Sequence, residues 1–270
     1  MLLFLLAAIG PALLLLWYVY SKDTNPEPTS LLLKGFCFGG LSALLSTLIS
    51  EPLLNMGFYT SNPTNIVESF KIAFFGAAIP EETAKLFMLW LLLRHCKEFD
   101  ESYDGIVYAA AVGLGFAAFE NVLYLVGAGA DWVDVAVQRA LLAIPGHFGF
   151  AVAMGYYYSL NHFKGSRAPK GTKIKIWLVP VLLHGIYDTL CFMSDVLAPG
   201  WSALITFALI YFCIKMFNVT RRRIQRESEH NEYLGSGFGV SRNGYDVNQD
   251  WTDRPDDQEE QDDDAGEGFI

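Results

Sequence analysis

The chain has little of what a secreted or soluble protein would carry. Its 270 residues include four cysteines, Cys37, Cys96, Cys191 and Cys213, and no CxxC pair. That excludes a disulfide framework and zinc-finger spacing, and leaves the four as small apolar packers. Lys and Arg are missing from three stretches between apolar runs, 51–69, 128–133 and 195–200. The first apolar run has no basic segment before it and no A-x-A site, and its first positive charge, Lys22, comes after it. A retained helix is therefore expected rather than a cleaved signal peptide. Net charge is also missing from most of the chain. Residues 243–270 hold eleven acids and one base, Arg254, and so account for the whole net charge of -10. The acidity belongs to a tail, and no nucleic-acid partner is expected.

What is present is apolar length. Hydrophobic residues make up 52% of the chain, and several runs reach 18 residues or more, too long and too uniform for strands. The expected fold is all-α, a polytopic transmembrane helix bundle of about seven spans: 2–20, 30–50, 70–94, 104–127, 134–160, 174–194 and 201–219. Span four, GIVYAAAVGLGFAAFENVLY, is dense in Gly and Ala, which lets helix backbones approach in lipid, so it is expected at the centre. Two regions follow: a transmembrane domain over 1–219 and a polar tail over 220–270, disordered by composition. The loops after spans one, three, five and seven carry Lys22; Arg94 and Lys97; Lys164, Arg167, Lys170, Lys173 and Lys175; and Arg221, Arg222, Arg223 and Arg226. That one-sided bias predicts a multi-pass plasma-membrane protein, N-terminus outside and C-terminus cytoplasmic.

Charges interrupt this apolar pattern. AAIPEETAKLF (Ala77–Phe87) sits inside span three, although a charge at the bilayer centre costs about 2.5–3.5 kcal/mol on insertion scales. Span three carries Glu81, Glu82 and Lys85; span four, Glu120 followed by Asn121; span five, Arg139 and His147; span six, His184 and Asp188. At about 1.5 Å per residue, these lie between the midplane and the outer half of four helices. Glu81 and Glu82 stand four and three residues before Lys85, so one ammonium reaches either carboxylate. His184 and Asp188 share a face, as do Arg139 and His147. Pro80 removes one helix N–H and loosens the turn before the acids.

Each residue has a structural reading: a Glu–Lys pair that neutralises itself, or a hydrogen-bonded core histidine. Convergence at one depth favours chemistry. Hydrolysis of an amide suits the set, with Glu81 or Glu82 as general base on a water. The imidazoles could donate to an oxyanion, or His147, His184 and Glu120 could hold a zinc with one position open. Intramembrane Glu and His also serve transporters and proton relays, but the inner halves of spans three to six are apolar. A non-catalytic scaffold of the same fold is the third alternative.

At these residues the chain resembles the PrsW family of intramembrane proteases. The motifs are EExxK (Glu81, Glu82, Lys85), FxxxE (Phe116, Glu120), an intramembrane histidine in RALLAIPGHFGF (His147) and HxxxD (His184, Asp188), all within 70–194. The related type II CAAX prenyl endopeptidases usually end the second motif in His. Glu120 stands there here, which favours the PrsW branch and argues against a prenyl-protein substrate. The resemblance implies a membrane-embedded peptidase, commonly called a metalloprotease, that makes a site-1 cut in a membrane-bound anti-sigma factor. It implies catalytic roles for Glu81, Glu82, Glu120, His147 and His184, with Lys85 and Asp188 in support; Arg139, on the face of His147, is a further supporting candidate by spacing. Its partners would be a membrane-anchored protein substrate and the bilayer.

Overall fold

The computed structural model describes residues 2–235, and these form helices and turns only. The acidic segment 243–270 lies outside the described residues. The helices are α1 (Leu2–Tyr20), α2 (Thr29–Asn55), α3 (Ile66–Lys71), α4 (Ile79–Leu93), α5 (Asp104–Ala128), α6 (Trp132–Gln138), α7 (Ile144–Lys164), α8 (Thr172–Val196) and α9 (Pro199–Gly235). The chain divides into Met1–Ser228, which holds the bundle, and Glu229–Ile270, of which only the end of α9 is described.

Two π-helical segments join short helices into longer rods. Ile72–Ala78 links α3 to α4, and Arg139–Ala143 links α6 to α7. Both lie just ahead of a proline, Pro80 and Pro145, in the first turn of the following helix. A proline cannot donate to the carbonyl four residues back, and its ring crowds that carbonyl. The chain widens instead: Ile79 N–H donates to Phe74 O and Ile144 N–H to Arg139 O, each five residues back. Wide turns of this kind inside α-helices are frequent at functional sites. The rod through α3 starts on a reciprocal cap. Asn65 accepts from Glu68 N–H at 3.0 Å, and the Glu68 carboxylate accepts from Thr64 N–H at 2.8 Å.

The described residues form seven rods in an all-α bundle, the fold class that the apolar runs predict. Among the described residues, five stretches are long and apolar enough to cross a bilayer: Leu2–Tyr20, Thr29–Asn55, Asp104–Arg167, Thr172–Val196 and Gly200–His230. Asp104–Arg167 contains two rods, because Gly129, at φ 58°, breaks the helix between α5 and α6. The rod through α4 falls short of that measure because it carries Glu81, Glu82 and Lys85. Leu14, Trp17, Leu48, Leu141 and Phe207 are exposed on the outside of the bundle. A large exposed apolar surface of this kind suits lipid rather than water.

The Gly/Ala-rich span is central, as its composition predicts. From Asp104 to Ala118 every residue of α5 is buried. A Cβ on Gly115 would lie 2.0 Å from Phe36 O, and one on Gly39 2.0 Å from Val112 O, so α2 and α5 meet backbone to backbone. On the other side of α5, a Cβ on Gly155 of α7 would lie 2.2 Å from Gly105 O. Such approach needs residues without side chains. A second core joins Phe150, Tyr187, Phe212 and Met216 across α7, α8 and α9.

Two expectations shift. Cys37 is exposed rather than packed. The last helix continues past Val219 to Gly235, so residues 220–235, expected in the disordered tail, are helical. Thr220, Ile224 and Glu227 lie on one face and are buried, and Arg223 stacks 4.2 Å over the Tyr156 ring. The polar composition hides this anchored face.

Candidate active site

The predicted polar residues meet in one cluster. α4 supplies Glu81, Glu82 and Lys85, α5 supplies Glu120, the rod through α7 supplies Arg139 and His147, and α8 supplies His184 and Asp188. The wide turns before α4 and α7 fix which way Glu81, Glu82 and His147 face.

Lys85 is the hub. Its Nζ lies 2.8 Å from Glu82 Oε1, 3.3 Å from Glu81 Oε2 and 3.2 Å from His147 Nδ1. It also sits 3.8 Å from the centre of the Phe116 ring, a cation–π contact. An ammonium can only donate, so His147 Nδ1 accepts. The neutral ring then carries its proton on Nε2, which donates to Glu120 Oε2 at 2.9 Å. Glu120 Oε2 also accepts from Arg139 Nη2 at 2.6 Å. Arg139 Nε donates to Asn121 Oδ1 at 2.8 Å, and Asn121 Nδ2 donates to Ala8 O at 2.8 Å. The Arg139 guanidinium lies over the Tyr124 ring at 3.9 Å.

The second histidine joins the same network. His184 Nδ1 is 2.9 Å from Glu82 Oε1, and Nε2 is 3.2 Å from Asp188 Oδ2 and 3.8 Å from Glu81 Oε2. Phe150 stacks on its ring at 4.8 Å, and the two imidazoles stand edge to face at 5.1 Å. Glu82 Oε1 is thus held by Lys85 and His184. Glu82 Oε2 is buried with no hydrogen-bond partner, an arrangement that is costly unless something else occupies that position.

Exposure divides the cluster into an inner and an outer group. The Glu82, His184, Lys85 and His147 side chains are 0%, 3%, 4% and 6% exposed. Glu120, Asp188, Glu81 and Arg139 are 20%, 18%, 13% and 12% exposed.

The metal trio suggested by the sequence changes by one carboxylate. Glu81, His147 and His184 each offer a ligand atom within 4.8 Å of the other two. Glu120 touches His147 but stands outside that trio, held by Arg139. Two imidazoles and a carboxylate form a donor set that fits a catalytic zinc, so the residues present suit a metal. Sequence reasoning missed Phe150, Tyr124 and the link from Asn121 to α1. Asn121, a polar residue next to Glu120 inside an apolar run, was the available signal for the last of these.

The comparisons with known proteins agree with one another. Residues 27–217 match the model of the PrsW family intramembrane metalloproteases. The chain is 37% identical over 211 residues to Protease PrsW of Geobacillus kaustophilus, covering 73% of this chain and 88% of that protein. It is 34% identical over 230 residues to Protease PrsW of Oceanobacillus iheyensis, covering 85% and 98%. It is 36% identical over 183 residues to Protease PrsW of Bacillus subtilis, covering 67% and 79%. No solved structure matches the chain.

Proposed function

The chain belongs to the PrsW family of intramembrane metalloproteases, and on that premise we propose that the cluster between α4, α5, α7 and α8 hydrolyses a peptide bond of a membrane-anchored protein, with Glu82 as general base. The observation that carries this is the state of Glu82: wholly buried, Oε1 tied to Lys85 and His184, Oε2 without a partner. A carboxylate with one oxygen fixed and the other open is oriented to accept a proton from water. Glu82 Oε2 takes that proton while the water oxygen bonds to the peptide carbonyl carbon. The proton then passes to the amide nitrogen as the C–N bond breaks, and Glu82 is ionised again.

The other residues position the first. Lys85 balances the charge of Glu81 and Glu82, and Asp188 orients His184. Arg139 fixes Glu120, which in turn holds the Nε2–H of His147. Glu81, His147 and His184 are the residues that would hold a metal, and zinc suits them. When bound, the metal would polarise the scissile carbonyl and oppose the charge on its oxygen.

The substrate is a membrane protein whose chain can unwind beside the more exposed carboxylates of the cluster, Glu81, Glu120 and Asp188. An anti-sigma factor is the substrate class that the family resemblance implies. The Lys/Arg bias supports a plasma-membrane orientation with the N-terminus outside, the C-terminus cytoplasmic and the site in the outer half.

Cleavage of a reconstituted membrane-anchored substrate tests the assignment. Glu82→Gln and His184→Ala variants with unchanged helicity are expected to lose cleavage. Wild-type rates in either would overturn the roles given to these residues.

A further inference from the structure

A second group of acids lies at the other end of α5. Asp104 opens that helix, and Glu120 lies sixteen residues further on, about 24 Å away at the helical rise. The α1–α2 loop brings Asp23 and Glu27 to Asp104, and the loop before α5 brings Glu101. Asp23, Glu27 and Asp104 are 8%, 4% and 1% exposed.

Their hydrogen bonds leave one place open. Asp104 Oδ2 accepts the N–H groups of Asp100 at 2.9 Å and Glu101 at 2.6 Å. Asp23 Oδ1 accepts Asn25 N–H at 3.1 Å. Glu27 Oε2 accepts the Tyr108 hydroxyl. Asp23 Oδ2 is buried and has no partner. One oxygen from each of Asp23, Glu101 and Asp104 lies within 4.8 Å of the other two.

Among the described residues, Asp23, Glu27 and Asp104 form no ion pair. Buried carboxylates without an opposite charge must take up protons or hold a cation. We propose that Asp23, Glu101 and Asp104 bind a hard divalent cation, magnesium or calcium, that ties the α1–α2 loop to the start of α5. All-oxygen donors select such ions over zinc. The unpartnered Asp23 Oδ2 supplies the ligand that no other group uses. Glu27, fixed by Tyr108, stands behind the trio and adds negative charge.

Cation titration of the purified full-length chain tests this. Magnesium alone and calcium alone are added in a buffer containing a chelator selective for transition metals, which keeps the intramembrane site out of the readout. Thermal unfolding of the wild type is expected to shift upward by several degrees with at least one of the two ions. Asp23→Asn is expected to lose the shift. Glu101→Gln is expected to need a concentration at least about tenfold higher, a loss of about 1.4 kcal/mol in binding. No shift in the wild type up to about 10 mM of either ion, beyond the weak end of protein calcium sites, would overturn the proposal. An undiminished shift in Asp23→Asn would overturn it too.

Discussion

Two groups of buried carboxylates lie along α5, and they are neutralised in opposite ways. Between α4, α5, α7 and α8, each acid faces a nitrogen: Glu82 has Lys85 and His184, Glu81 has Lys85, Glu120 has Arg139 and His147. At the start of α5, Asp23, Glu27 and Asp104 face backbone N–H groups, a tyrosine hydroxyl and one another. The difference follows from where the chain places its cations. Inside a helix, i,i+3 and i,i+4 spacing lets one lysine serve two acids, and lipid makes an unpaired charge prohibitive. In the loops at the rim, water and free ions are within reach, so no internal cation is needed. The first arrangement suits the proposed chemistry. The second leaves a place for a ligand.

Removing the hub of the first group should have the largest effect. Lys85→Met leaves Glu81 and Glu82 facing each other without their shared ammonium. Breaking a buried pair from one side typically costs about 3–5 kcal/mol, so loss of cleavage with a large fall in unfolding temperature is expected in detergent. A stable, active Lys85→Met protein would mean that the two groups do not differ in the way described.

A smaller change tests the chain of support. Arg139→Leu keeps the catalytic side chains but frees Glu120, and with it the Nε2–H of His147. Loss of such an orienting partner commonly costs about 10–100-fold. The reduction should fall on kcat rather than on substrate binding, and Arg139→Lys should restore part of it.

At the rim the sign should reverse. With divalent cations removed, Asp23→Asn deletes an uncompensated charge and should raise the unfolding temperature by about 2–4 °C, the shift that accompanies roughly 1 kcal/mol in a chain of this size. A fall would show that Asp23 has a favourable partner in the cation-free protein.

The smallest effect is a pH slope. Burial raises Asp23 from 3.8 to about 6 and Glu27 from 4.5 to about 7; Glu101 adds to the first shift and Asp23 and Asp100 to the second, while hydrogen bonds from the Asn25 and Glu27 N–H groups oppose the first and those with Tyr108 and Asp104 oppose the second. An acid whose folded value is raised stabilises the fold below its unfolded value and loses that contribution as pH rises through the folded one. Without cations, stability should therefore decline between about pH 4 and pH 7. Saturating divalent cation should flatten the decline. Unfolding temperatures across that range, with and without the ion, check both parts.

Much of the intramembrane site was legible in the sequence, because a charge inside an apolar run must meet a partner. Depth alone brought Glu81, Glu82, Glu120, His147 and His184 together, and helical spacing paired Lys85 with both acids. That Glu81 rather than Glu120 lies within 4.8 Å of both histidines was not legible. The π-helical segments ahead of Pro80 and Pro145 alter the rotation of α4 and α7, and regular spacing does not carry that shift. The rim cluster was hidden for another reason. Asp23, Glu27, Glu101 and Asp104 lie in or next to loops more than seventy residues apart, where acids are ordinarily solvated. The burial of Ile224 and Glu227 on α9 was likewise masked by the polar residues around them.

Side-by-side cleavage rates of Glu82→Gln and Asp23→Asn, in the same vesicles and with the same membrane-anchored substrate, separate the two groups most directly. Glu82→Gln is expected to cleave at least about 100-fold more slowly than the wild type, the low end for a lost general base, while Asp23→Asn stays within about a factor of two. Cleavage by folded Glu82→Gln at the wild-type rate would contradict the assignment of the water-activating carboxylate.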